Sequence, residues 1–401
     1  MNRRTADGSP GAARLAPRLR TLLMAAVATA SAAALATGCT ATEPTGSTAA
    51  PRPSASAETG ASAPPGPEGD TRPRPETPDG TLLVTDFGAQ TVTFVDPDKG
   101  PVDSVRVGTA PYGLAIGADG RAWVATAEGV AVVDTAARER RAFVPYRTRG
   151  LGPATYGEYR GGGMGIAIAP DGRHVYVGVN VPGGNGRLEV IDTRTLRVTG
   201  TADTGRRPFD VDVARDGSRV YATGHDSFDV TVLDTDTMGT RRIEVAPYGT
   251  EGGLGSWLKP HCAVVRPTDG RLLLPFEGER LVVLDPETGR SSIERMTANT
   301  HQHGAAVTAD GTLVVIGTGP IDPATDEGAS LTVRSKGGKE RVIPLGGPHE
   351  DVAVSKDGRT AYVTGGFTRE GYWNGITVVD LDTGTTHRLP AGQRPLGIAV
   401  L

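Results

Sequence analysis

The sequence predicts an all-β chain, a single seven-bladed β-propeller closed by pairing the C-terminal inner strand with the N-terminal strands. Three features carry this prediction. First, an apolar run returns every 40 to 53 residues: LLVTDF from Leu82, AWVATA from Ala122, VYVGVN from Val175, VYATGH from Val220, LLLPFE from Leu272, LVVIGT from Leu313 and AYVTGG from Ala361. Second, Asp-Gly pairs turn the chain into each later repeat, at Asp119-Gly120, Asp171-Gly172, Asp216-Gly217, Asp269-Gly270, Asp310-Gly311 and Asp357-Gly358. Asp-Gly between alternating apolar runs is a strong hairpin signal, since both residues tolerate positive φ. Third, the chain ends on PLGIAVL, which matches the inner strand of the other repeats but has no partner after it. It should complete the sheet begun by LLVTDF and TVTFVD.

Each unit reads as four strands. A second β-rich run follows the first and usually ends in Asp, at Asp96, Asp134, Asp192, Asp234, Asp285 and Asp380. A weaker third strand comes next, then a fourth, as in YGLAIGADG, MGIAIAPDG, FDVDVARDG and HGAAVTADG. Among 401 residues, 56 glycines fit a chain of many turns, and the net charge of −4 gives no general basic field for nucleic acid. Two cysteines, Cys39 and Cys262, are too few for a disulfide framework.

The N-terminus reads as a targeting segment. Arg3, Arg4, Arg14, Arg18 and Arg20 precede the uncharged, Ala-, Leu- and Val-rich stretch from Thr21 to Gly38. Its end, Ala36-Thr37-Gly38-Cys39, resembles the lipobox of bacterial lipoproteins, although Ala36 stands where that family usually carries Leu. The resemblance implies that Cys39 is lipidated and becomes the mature N-terminus. Residues 40–79 are Pro, Ala, Ser, Thr, Gly and Glu with almost no large apolar side chain, a composition that cannot order itself. The expected organisation is a signal peptide over 1–38, a lipidated cysteine with a disordered tether over 39–79, and the propeller over 80–401. The expected location is the outer side of the cytoplasmic membrane, with the lipid anchor as the membrane partner.

Strings such as AYVTGG, VYATGH, TVTFVD and APYGLAIGADG look like the YVTN repeat of YncE-type propellers. The resemblance covers about 320 residues and implies fold, not chemistry. Similar-looking propellers include lactonases, streptogramin lyases and periplasmic metal-handling proteins.

Long insertions gather on one face of the expected disc, which in a repeat protein marks the binding face. Tyr146 to Gly163 and Pro247 to Lys259 cross between blades there; Asn180 to Gly186, Gly319 to Gly328 and Gly366 to Gly375 are loops within blades. They carry Tyr156, Tyr159, Arg160, Trp257, Lys259, Arg369, Tyr372 and Trp373 as candidate ligand contacts. Five of the seven histidines fall on this face: His225, His261, His301, His303 and His349. Aligning the entries to the inner strands gives Tyr112, Met164, Phe209, His261, His303, then His349 or Glu350, then Leu396. Two imidazoles with a third imidazole or a carboxylate in successive blades would suit Zn²⁺ or a similar divalent metal. The same residues could instead contact an organic ligand, or simply bind water and backbone. Cys262 should point into the blade as a buried thiol.

No nucleophile elbow, zinc-protease helix or phosphate-binding loop is present. Asp322, Asp326 and Glu327 read as a solvated acidic loop and the repeated aspartates as turn formers. Three functions therefore remain. One is a binding module for a small ligand, a metal or an envelope protein. Another is a metal-assisted lactonase, lyase or hydrolase. The last is a structural protein of the cell envelope.

Overall fold

The computed structural model describes residues 79–245, 259–276, 280–298, 304–317, 329–366 and 371–401. The signal segment, Cys39 and nearly all of the tether lie outside the described residues, as do Trp257, His301, His303, Asp322, Asp326, Glu327 and Arg369. Among the described residues all regular structure is β: 28 strands form seven four-stranded sheets. The inner strands are Pro395–Val400 in blade 1, Leu114–Ile116 in blade 2, Gly162–Ile168 in blade 3 and Pro208–Val213 in blade 4. Val264–Val265, Ala305–Val307 and Val352–Val354 serve blades 5, 6 and 7.

The apolar runs are the second strands of their blades, covered on both faces by neighbouring blades. Hence they read as continuous apolar segments instead of alternating ones. Leu82–Asp86 is buried at every residue, whereas the outermost strand Ser291–Arg295 of blade 5 is exposed at every residue. The core is a series of seams between blades. In one of them Trp123, Val130 and Val132 of blade 2 meet Val175, Val177 and Ile191 of blade 3.

The Asp-Gly turns form where expected but by a different device. Only the glycines take positive φ, 77° at Gly120, 70° at Gly172 and 76° at Gly217. Each aspartate stays outside that region and uses its side chain instead. Its Oδ1 accepts the amide two residues on, from Arg121 at 3.0 Å, Arg173 at 2.9 Å and Ser218 at 3.0 Å. Gly120 N–H closes the turn on Gly117 O at 3.0 Å. This is a longer turn with a trailing left-handed glycine, not a two-residue mirror-image turn.

One position per blade sets how closely the inner strands approach. It is the residue after the entry residue: Gly113, Gly165, Asp210, Cys262, Gly304, Asp351 and Gly397. A Cβ on Gly113 would sit 2.7 Å from Met164 O, on Gly165 2.5 Å from the Asp210 backbone, and on Gly397 2.6 Å from Tyr112 O. Backbone of the next blade fills the space a side chain would need. Where the residue is Asp, the carboxylate bridges the gap. Asp210 Oδ2 accepts Ala263 N–H of blade 5 at 2.8 Å, and Asp351 Oδ2 accepts Ile398 N–H of blade 1 at 3.2 Å. Cys262 is 3% exposed, the buried thiol the strand alternation predicts.

Blade 1 is built from both chain ends. Leu82, Leu83 and Val84 pair with Val400, Ala399 and Ile398. Thr85 Oγ1 donates to Tyr112 O at 2.8 Å and accepts Gly397 N–H at 2.8 Å, tying blades 1 and 2 together at the seam.

Deleting residues 395–401 should abolish the cooperative thermal transition. The deletion removes the buried side chains of Leu396 and Ile398, at about 1.5–3 kcal/mol each, and uncovers a neighbouring apolar strand, against a total stability of about 5–15 kcal/mol. Scanning calorimetry showing an unchanged melting temperature would rule this closure out.

Asp351 generates a second prediction. Burial pushes its carboxyl up to about 7, against the opposing hydrogen bonds from Val352 and Ile398, with Asp210 and Glu350 adding to the rise. A folded-state value above the unfolded value of about 3.9 means that folding takes up a proton between roughly pH 4 and 7. This group's contribution is therefore least unfavourable at low pH and worsens as pH rises through 7. Asp351→Asn should flatten the fall in melting temperature between pH 5 and pH 8. Equal slopes for variant and wild type would show that Asp351 ionises normally in the fold.

Candidate ligand site at the channel mouth

Among the described residues, the entry residues ring the mouth of the central channel, and the ring divides by chemistry. Tyr112, Met164, Phe209 and Leu396 pack with Phe87 and Ala110 into one buried cluster, with Tyr159 of the long crossing loop laid against it. The Tyr112 and Phe209 rings are nearly parallel, 7° apart at 6.0 Å between centroids. Arg160, expected as a basic ligand contact, is instead 4% exposed. Its guanidinium donates to Ala110 O at 2.6 Å, Gly161 O at 3.1 Å and Gly163 O at 2.9 Å. It also lies 5.9 Å and 5.8 Å from the centroids of the Phe87 and Tyr112 rings. The planar fork, with several donors, satisfies loop carbonyls that burial would otherwise strand. Arg160 braces the loop and is withdrawn from any ligand.

The other side of the mouth is polar. His261, 6% exposed, enters from blade 5, and Glu350, 1% exposed, from blade 7. The ambiguity between 349 and 350 is resolved in favour of Glu350, which precedes Val352 by two residues as Tyr112 precedes Leu114. His349 turns into its own blade: Nδ1 lies 2.6 Å from Gly347 O and Nε2 2.7 Å from Thr377 Oγ1. Burial lowers its pKa to about 4, partly offset by the Gly347 carbonyl. With both ring nitrogens so engaged, His349 is a structural residue of blade 7 and not a channel ligand.

His225 meets His261 edge to face, 4.5 Å between ring centroids at 74°, and its edge also meets Phe209 at 4.6 Å. Behind it, Asp226 collects three donors. His225 Nδ1 is 2.8 Å from Oδ1, Lys259 Nζ is 2.9 Å from the same oxygen, and Arg207 reaches Oδ2 at 2.8 Å. Burial would raise the Asp226 carboxyl, but the hydrogen bonds from His225 and Lys259 and the Arg207 charge outweigh it and hold it well below the usual range. The ionised Asp226 carboxylate lies against His225 Nδ1 and so fixes the orientation of that ring. Arg207 is itself laid on the Tyr159 ring, 3.6 Å from its centroid. Lys259, expected as a ligand contact, thus serves Asp226.

Between the two sides lies a cavity of about 120 Å³, bordered by Tyr112, Phe209, His261, Glu350 and Leu396 and by the strand residues just below them, including Asp210 and Asp351. The remaining candidates sit in other contacts. Tyr156 is 37% exposed, hydrogen-bonded to Gln90 and set edge-on against Phe87. Tyr372, 47% exposed, lies under Arg394. Trp373 donates from Nε1 to Pro348 O at 3.2 Å and carries Arg388 on its ring. Among the described residues no three His, Cys, Asp or Glu side chains are grouped as a metal set. The sequence reading missed Arg207, Asp210, Asp226 and Asp351. Their only trace was adjacency: His225-Asp226, and acidic residues one after the entry positions.

No family model matches the chain. Over 110 residues it is 31% identical to the 6-phosphogluconolactonases of Yersinia pestis (strain Pestoides F) and Yersinia pseudotuberculosis (serotype O:3, strain YPIII), a stretch that is 27% of this chain. The chain spans 31% of the length of those curated relatives. Among solved structures, a functionally unknown protein from Desulfotomaculum acetoxidans DSM 771 superposes with a TM-score of 0.62 at 11% identity, covering 80% of this chain and 98% of that one. Kuenenia stuttgartiensis hydrazine synthase gives 0.54 at 17% identity over 81% of this chain and 99% of that one. The dihydro-heme d1 dehydrogenase NirN in complex with DHE gives 0.52 at 17% over 82% and 77%. At these identities the structural likenesses establish the seven-bladed β-propeller fold and nothing of its chemistry.

Proposed function

We propose that the chain is an extracytoplasmic, lipid-anchored propeller that binds a small ligand at the mouth of its central channel. One observation carries the binding reading: a 120 Å³ cavity opens where the entry residues change from apolar to polar, with His261 and Glu350 beside the Tyr112 and Phe209 rings. Small-molecule sites are concave, largely apolar and furnished with a few convergent polar groups, as this one is. The repeat strings support placing the chain with YncE-type propellers, and the Ala36-Thr37-Gly38-Cys39 end supports export with lipidation of Cys39. Its partners on this reading are a membrane, through the anchor, and a small ligand, with no role for nucleic acid.

A second reading, a lactonase, is favoured by the stretch 31% identical to 6-phosphogluconolactonases and by the His225–Asp226 pair. A carboxylate-oriented imidazole is the arrangement that takes a proton from attacking water.

Cys39→Ser should move the protein from the membrane fraction to the soluble fraction or medium. Wild-type protein found soluble and unacylated would refute the anchor. Hydrolysis of 6-phosphogluconolactone by the purified protein separates the two readings. Binding alone predicts no turnover above background, together with ligand-induced shifts of the His261 ring signals that disappear in His261→Ala. Turnover that falls at least 100-fold in His225→Ala would replace the binding module with the enzyme. One equivalent of Zn²⁺ by elemental analysis, lost in His261→Ala, would make the site a metal centre.

A further inference from the structure

The cavity has a charge that the network around Asp226 does not share. The nearby cations are spent elsewhere, Lys259 and Arg207 on Asp226 and Arg160 on the carbonyls of Ala110, Gly161 and Gly163. Among the described residues, those bordering the cavity include the carboxyls of Asp210, Glu350 and Asp351 and no lysine or arginine. A fourth carboxyl, Asp212, stands two residues along the same strand from Asp210 and so on the same side of it. Asp212 Oδ2 is shut off from solvent and has no hydrogen-bonding partner among the described residues. Burial first, and then Asp210, raise the Asp212 carboxyl well above its ordinary range. A buried polar atom without a partner is costly, and a group of carboxyls in a low-dielectric wall is costlier still. The opposite wall is apolar and aromatic: Tyr112, Leu114, Ile166, Phe209 and Leu396. A hydrated metal ion would find few donors there, whereas an alkylammonium finds both halves it needs. Its N–H groups meet carboxylates and its carbons meet ring faces, which attract cations through the ring quadrupole.

We propose that the channel-mouth cavity binds a small organic ammonium ion, with Glu350 as its principal counter-charge and the Tyr112 and Phe209 rings against its carbon atoms. This rests on the binding reading above and names the ligand class. At about 30 Å³ of liquid volume for one water, the cavity of about 120 Å³ holds about four heavy atoms, the size of ethanolamine or trimethylammonium.

The test is calorimetric titration of the purified full-length protein with ethanolamine, trimethylammonium, acetate, CaCl₂ and ZnCl₂ as separate probes at pH 8. Ethanolamine or trimethylammonium should bind at millimolar or better and acetate should not. Glu350→Gln should weaken the ammonium probe at least tenfold, and Phe209→Leu severalfold, with both variants keeping the wild-type circular dichroism and a cooperative melt. His387→Ala, on the outer strand of blade 7, should bind as wild type. No heat with either ammonium probe, or equal affinity in Glu350→Gln, overturns the proposal. If acetate or a lactone then shifts the His261 signals while the ammonium probes do not, the ligand class is wrong and the binding site stands. If no probe perturbs His261, the site itself fails. Ca²⁺ or Zn²⁺ binding that is lost in Glu350→Gln, with no ammonium binding, would identify the ligand as a metal ion.

Discussion

The spacing of the inner strands, set at one residue per blade, is the constraint on which the rest of this ring depends. At Gly113, Gly165, Gly304 and Gly397 the next strand comes so close that a methyl group would meet backbone atoms. Interiors packed at crystal-like density transmit such a contact instead of absorbing it. At Asp210 and Asp351 the same ring position carries a side chain, and its carboxylate reaches across to an amide of the next blade. Round the axis from blade 1 the position reads Gly397, Gly113, Gly165, Asp210, Cys262, Gly304 and Asp351, so glycine holds blades 1 to 3 and side chains stand at blades 4, 5 and 7. The cavity is bordered by both kinds of position, by Gly113, Gly165 and Gly397 as well as by Asp210 and Asp351.

That asymmetry explains why apolar and acidic residues share one small volume. The loop that crosses from blade 2 to blade 3 lays Tyr159 against the apolar cluster and ties Arg160 to the Ala110 carbonyl. Arg160 does this without leaving a charge exposed, because three carbonyls and two rings receive it. The polar groups are thereby confined to the arc from blade 4 to blade 7. His225 and His261 sit at the boundary, packed on Phe209, with His225 oriented from behind by Asp226.

The fold was legible in the sequence because its rules are local and repeated. A buried second strand must be apolar at every residue, a tight turn needs glycine at a left-handed position, and both signals recur with each blade. The orphan PLGIAVL strand gave the closure for the same reason. The turn geometry was misread because Asp-Gly alone does not distinguish a mirror-image turn from one capped by the aspartate side chain. The candidate site was legible only where it followed the repeat register, at Tyr112, Phe209, His261 and Glu350. Arg160 and Lys259 were placed on the correct loops, but their partners are the carbonyls of Ala110, Gly161 and Gly163 and the carboxylate of Asp226, the first and last of them from the preceding repeat. His349 differed from Glu350 by one residue, and a single-residue shift in a strand reverses the direction of the side chain. No local pattern reports such long-range pairings.

The two-ended blade also bears on how the molecule comes to exist. Thr85 and Gly397, joined by a direct hydrogen bond, are separated by 312 positions in the chain. Every other blade takes its four strands from one continuous stretch, so it can assemble as that stretch emerges. Blade 1 cannot: its first apolar strand waits with an open, hydrogen-bond-hungry edge until the last residues arrive. Non-local pairing of this kind is slow, and an open edge is where a chain finds the wrong partner. The closing strand works as a completion signal, converting six finished blades and one three-stranded blade into a closed ring.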